Sequence, residues 1–163
     1  MRVWLVSLWL LLPSLVSAED EGKNEVALLS TVLLFGSNAE SEANGGVPKA
    51  ETGHVERLSK VTGLKYSHYQ KLGEDVQPIW RSYTNWASPM KGSEEILLSF
   101  EPNSEPGERG LRLDLELWVS RRKIMKSTQV LQHHKWLYIS GPKWRGGQLI
   151  IGVELLEPQQ RAQ

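Results

Sequence analysis

Cysteine is absent from this 163-residue chain. Its absence excludes disulfide bonds, thiolate zinc sites, iron–sulfur clusters and thiol nucleophiles. An excess of charge of one sign is lacking as well, because 19 lysines and arginines balance 19 aspartates and glutamates. This balance argues against nucleic acid as a partner, since general nucleic-acid binding depends on a basic surface.

Signatures of catalysis and of cofactor binding are also scarce. The chain has no Gly-x-Ser-x-Gly nucleophile motif. Lys143 precedes Gly146 and Gly147, whereas the lysine of a phosphate-binding loop follows its glycines. The adjacent pair His133-His134 falls in a predicted turn, a position more typical of solvated side chains than of three or four converging metal ligands. The sequence therefore predicts no cofactor, no metal site and no catalytic residue.

The first eighteen residues carry the pattern of a secretory signal peptide. Met1-Arg2 supplies a positive start, an apolar run follows from Val3 to Leu12, and Ala18 ends a small-residue exit. A membrane-spanning helix needs roughly 20 apolar residues, about twice this run. We therefore expect cleavage after Ala18 and export to the periplasm or the extracellular space, with no stable membrane span afterwards. An uncleaved anchor is the alternative.

Hydrophobic alternation defines the domain that follows. Residues 111–120 alternate strictly between leucine or valine and polar residues or tryptophan, the period of a strand with one buried face. Further strands are predicted at 26–35, 64–72, 95–100, 123–131, 136–140 and 148–156, with a short helix at 52–60 and irregular structure over 73–92. Short strands separated by turns indicate a mostly β fold, an antiparallel β-sandwich of about seven strands with one short α-helix.

The predicted organisation has four parts. A signal peptide covers 1–18 and a disordered leader covers 19–25. A single β-rich domain covers 26–157, and a polar tail covers 158–163.

One loop and one strand residue are the best candidates for binding. Trp144 lies between Lys143 and Arg145 in a predicted hairpin loop, and aromatic side chains beside cations are typical interface anchors. Trp118 lies on the polar face of the 111–120 strand. For the loop, the alternative is that Trp144 folds back onto the sheet and serves only packing.

One pair of carboxylates admits an enzymatic alternative. Asp114 and Glu116 share a strand face, and their spacing of roughly 7 Å overlaps the range used by inverting glycosidases. Arg112 shares that face, so a solvated salt-bridge ladder explains the same pattern.

Several segments together resemble a group of small exported proteins without assigned activity from planctomycete- and verrucomicrobium-like bacteria. The matching segments are the strand ending in Leu-Phe-Gly-Ser-Asn, residues 64–72, the 111–119 strand, the Val130-Leu131 pair and residues 147–151. The resemblance covers most of the chain after the signal peptide. It implies a bacterial periplasmic or surface setting and carries over no catalytic residue.

These observations favour an exported, non-enzymatic binding or envelope-assembly module. It would use a sheet edge or a loop patch, because an exposed strand edge accepts another strand and exposed aromatics anchor partners. The expected partner is a protein or an envelope polymer. Two alternatives stay open: a small periplasmic hydrolase using the strand carboxylates, and an accessory component of a secretion or pilus apparatus.

Overall fold

The computed structural model describes residues 20–39, 47–107 and 109–158. The predicted signal peptide lies outside these residues, as does all of the predicted tail except its first residue. A short 3-10 turn is followed by one helix and eight strands: β1 (Glu25–Ser37), α1 (Thr52–Leu58), β2 (His68–Trp80), β3 (Asn85–Ala87), β4 (Ile96–Pro102), β5 (Leu111–Val119), β6 (Arg122–Leu131), β7 (Trp136–Trp144) and β8 (Gly147–Leu156). Among the described residues, no helix has the length and apolar character needed to cross a membrane.

The strands form two four-stranded antiparallel sheets. The first sheet has the order β2-β1-β8-β7, and the second has the order β3-β4-β5-β6. Side chains from both sheets meet in one hydrophobic cluster. The prediction of a mostly β fold with an antiparallel sandwich and one short helix is confirmed.

β5 supplies the middle of the core, as its alternation predicts. Leu113, Leu115 and Leu117 are completely buried, while the residues between them are at least partly exposed. Full burial of a leucine side chain contributes about 1.5–3 kcal/mol of transfer free energy. The core therefore depends strongly on this one strand.

The central strands of the first sheet are buried on both faces. β1 and β8 send one row of side chains into the sandwich core and another row towards α1. The helix covers this outer row with Leu58, which packs in a second cluster with Val32, Leu34 and Ile150. Because α1 covers the outer face of the first sheet, β8 has apolar residues on both faces. It therefore lacks the alternation of β5, whose outer face is open to solvent.

The segment between α1 and β4 differs most from the prediction. The strand predicted at 64–72 instead begins at His68 and runs through Pro78 to Trp80, and the short strand β3 follows inside the region predicted to be irregular. Proline is tolerated because β2 is an edge strand, where a missing N–H need not leave a pairing unmade. Within the part of the chain that the structure describes, the sandwich consequently has eight strands.

β7 also extends beyond its predicted end at residue 140. It continues through Gly141 and Pro142 to Trp144, with a register shift against β8 between Ser140 and Lys143. The bulge absorbs the proline and keeps the strand paired, so Trp144 ends a strand and only Arg145 and Gly146 form the turn.

The start of the described chain is hydrogen-bonded, whereas the sequence led us to expect a disordered leader over 19–25. The Asp20 side chain accepts a hydrogen bond from the Gly22 N–H and another from the Tyr83 hydroxyl. Farther along, the Arg81 N–H donates to the Asn24 carbonyl. The described part of this segment, residues 20–25, thus contacts a residue 63 positions away in sequence, which no local pattern indicates.

Candidate functional site

Two tight hairpin turns flank one end of the sandwich. Ser120 and Arg121 join β5 to β6 with φ values of 47° and 64°, and Arg145 and Gly146 join β7 to β8 with φ values of 46° and 76°. Paired left-handed residues are the signature of a type I′ turn. Three of these four residues are not glycine, and such backbone strain tends to concentrate at functional sites.

A mostly apolar pocket of about 370 Å³ opens between these turns. Its volume lies in the lower part of the range used for small ligands. The apolar walls come from both sheets and from the segment before β4, and polar groups are few. The apolar lining consists of Leu72, Met90, Ile96, Val119, Pro142, Trp144 and Leu149, and the polar lining consists of Glu95, Ser120 and Lys143.

Trp144 is held at this pocket by contacts on both sides. The edge-to-face contact with Phe35 places the ring centroids 5.1 Å apart, and the Arg145 guanidinium lies 4.4 Å from the Trp144 ring centroid. The Trp144 side chain is still 37% exposed. The residue therefore combines the two interpretations of the sequence: it packs on the sheet, and it presents an indole surface at the pocket.

The four predicted binding residues divide between two places. Lys143 and Trp144 line the end pocket, and Arg145 stacks on Trp144 beside it. Trp118 lies on the outer face of the second sheet, where it contacts Trp86. The structure thus brings three of the residues together and sets the fourth in a separate aromatic pair.

The carboxylates Asp114 and Glu116 lie on that outer face, among hydrogen-bond donors. Hydrogen bonds from Thr128 and Asn103 lower the pKa of Asp114, and those from Lys123 and Lys126 lower the pKa of Glu116. A general acid needs a raised pKa to hold its proton near neutral pH. Neither carboxyl has the raised pKa of such an acid, and Glu116 forms its salt bridges with Lys123 and Lys126 rather than with Arg112.

Sequence reasoning overlooked a buried group between α1 and the first sheet. His54 is only 5% exposed, its Nδ1 lies 2.8 Å from the Tyr138 hydroxyl, and its ring meets the edge of Trp136. Burial lowers the pKa of His54 and raises the pKa of Tyr138 to about 12. The i, i+4 spacing of His54 and Leu58 is the sequence signal that places both on the buried face of the helix.

We expect His54 to make the protein less stable in mild acid. Its pKa is lowered mainly by burial, so the unfolded chain binds the proton more tightly than the folded protein does. The free energy of unfolding should therefore fall as the pH drops below the unfolded value of about 6.5, by about 1.4 kcal/mol for each unit between the two pKa values. Urea unfolding at pH 8 and pH 5 measures the loss.

The comparison uses His54→Gln, which should lose less stability over this range than the wild type does. His68→Gln is the matched control, because it makes the same substitution at an exposed histidine. Glu154, whose pKa is raised by burial, contributes in the opposite direction and is common to all three proteins. An equal loss of unfolding free energy in the wild type and in His54→Gln would show that His54 does not cause the acid sensitivity.

Comparison of the chain with protein-family models, with curated proteins and with solved structures finds no match in any of the three.

Proposed function

We propose that this chain is an exported, non-enzymatic binding protein that receives an apolar group of a protein or envelope polymer in its end pocket. One observation carries the proposal: an apolar pocket of about 370 Å³ opens beside Lys143 and Trp144, at the end of the sandwich where strained turns cluster. Apolar concavities with a few polar groups at the rim are the usual form of a ligand site.

The sheet edges support this choice of the loop patch over strand addition. β6 is an edge strand and carries Arg122, Lys123 and Lys126 without a single acidic residue. Lysine on an edge strand is a common device against pairing with another chain. β7, the edge strand that carries Lys143 and Trp144, is interrupted by Pro142 and a bulge, which weakens it as a template for an added strand.

The location and the absence of turnover belong to the same proposal. The signal-peptide pattern over residues 1–18 supports export, and the resemblance to small exported bacterial proteins supports an envelope setting. The lowered pKa values of Asp114 and Glu116 support binding without hydrolysis. A hydrolase activity that disappears in Glu116→Gln would contradict it.

Linear alcohols provide a direct test of the pocket. We expect butanol, hexanol and octanol to bind with affinity that rises by up to about fourfold for each added methylene, because each buried methylene contributes about 0.8 kcal/mol. Chemical-shift changes in a methyl-labelled sample should centre on Leu72, Met90 and Leu149, which line the pocket.

Val119→Trp places an indole in the pocket and should abolish hexanol binding. Val130→Trp is the matched control, since Val130 is 53% exposed and lies on the outer face of β6, opposite Arg112. Binding that survives Val119→Trp, or shifts spread evenly over the protein, would overturn the proposal.

A further inference from the structure

The outer face of the second sheet carries two tryptophans in contact, one exposed and one half-buried, that the end pocket does not use. Trp86 on β3 and Trp118 on β5 meet across β4, with ring centroids 5.8 Å apart and ring planes inclined by 60°. Trp86 is 43% exposed. A large aromatic side chain that stays in solvent beside a second aromatic ring is typical of contact surfaces.

One member of the pair is held in a fixed orientation. The Trp118 Nε1 donates a hydrogen bond of 3.3 Å to the Glu116 carboxylate, and the Lys123 ammonium lies 5.5 Å from the Trp118 ring centroid. A surface that is ordered before binding loses less conformational entropy when a ligand arrives. The inclined rings thus form a preorganised aromatic corner with Trp86 as its more exposed wall.

The carboxylates around the corner already have partners on the same face. Glu116 lies 3.1 Å from Lys123 and 3.2 Å from Lys126. Asp114 accepts hydrogen bonds from Asn103 and Thr128, and Glu101 accepts one of 2.7 Å from Thr84. With the exposed Arg112 on the same face, three cations balance these three carboxylates. The face therefore offers no surplus charge to attract a polyanion or a polycation.

We propose that this aromatic corner binds a neutral polysaccharide. The C–H face of a pyranose ring matches the negative face of an indole, which provides the stacking contact on Trp86. Hydroxyl groups of the sugar can donate to the carboxylates of Glu101 and Asp114, whose oxygens have lone pairs beyond those used within the protein. An uncharged, hydroxyl-rich chain with apolar ring faces is the ligand class that these contacts and this charge balance fit together.

Affinity electrophoresis of the purified protein tests the proposal. The probes are hydroxyethyl cellulose, mixed-linkage β-glucan, dextran and galactomannan as neutral chains, and alginate as an anionic chain. We expect at least one neutral polysaccharide to retard the protein, with little change between low and high salt. Trp86→Ala should weaken that binding at least about tenfold, the effect typical of a central aromatic contact.

Two variants keep the result interpretable. Trp86→Phe retains an aromatic face and should recover part of the binding, while Trp144→Ala removes a tryptophan of similar exposure at the end pocket and should bind polysaccharide normally. Retardation by none of the neutral chains, retardation by alginate alone, or equal loss in Trp144→Ala would each overturn the proposal. Hexanol binding tests the end pocket and does not depend on Trp86. The hexanol titration and the electrophoresis can therefore contradict the two proposals separately.

Discussion

Leu115→Asp is expected to unfold the protein. Leu115 is completely buried at the centre of β5, where it pairs with Phe100 of β4 and Ser127 of β6. Removing the leucine side chain alone costs about 2–5 kcal/mol, and an isolated carboxylate in an apolar core adds several kcal/mol more. The sum rivals the whole stability of a typical domain, about 5–15 kcal/mol.

Far-UV circular dichroism and urea unfolding measure the effect. Leu115→Ala should keep the fold and lose about 2–5 kcal/mol. Arg112→Asp introduces the same charge on the exposed face of the same strand and should change the free energy of unfolding by about 0.5 kcal/mol or less. A Leu115→Asp protein that unfolds cooperatively near the wild-type midpoint would show that β5 does not form the core.

The same strand shows why part of the fold follows from sequence. β5 has one buried and one wet face, so its leucines alternate with polar residues and identify both the strand and its inner side. β8 has the opposite property, because its second face is covered by α1 and is apolar as well. The sequence of β8 predicts a strand, but it does not indicate that a helix packs on its outer face.

β2 and β3 could not be delimited because their strand character depends on distant partners. β2 pairs along β1 over residues that include Lys71, Glu74 and Pro78, none of which favours a strand locally. β3 is three residues long and exists through its pairing with β4. In β2, tertiary pairing outweighed the local signals of proline and charge.

The candidate site was only partly within reach of the sequence. Lys143 and Trp144 stand out in the predicted loop, and the structure places them at the end pocket. The opposite wall, with Leu72 and Met90, comes from segments more than 50 residues earlier in the chain, and nothing in a local pattern indicates that they converge. The contact between Trp118 and Trp86 could not be predicted either, because Trp86 lies in the segment predicted to be irregular.

Two adjacent glycines at the β7–β8 turn provide a second prediction, which connects the fold to the pocket. Gly146 has a φ of +76° and open space where a Cβ would lie, whereas a Cβ on Gly147 would lie 2.7 Å from Phe35 Cζ and closer still to the Gly36 carbonyl oxygen. Alanine at 146 therefore meets only the strain of the left-handed region, about 1–2 kcal/mol. Alanine at 147 must displace both a core ring and the backbone of β1.

We expect Gly147→Ala to lose about 3 kcal/mol of unfolding free energy, the upper end of the usual cost of overpacking, because one of the colliding groups is backbone. Phe35 also supports Trp144 through their edge-to-face contact, so a displaced Phe35 should shift Trp144 and weaken hexanol binding. Urea unfolding and the hexanol titration, run on both variants, measure these effects.

Gly146→Ala should bind hexanol as the wild type does, because its turn has room for a methyl group. Two outcomes would contradict this prediction: Gly146→Ala being the more destabilised variant, or Gly147→Ala binding hexanol normally. Either would show that the packing of Phe35 between β8 and Trp144 does not shape the pocket.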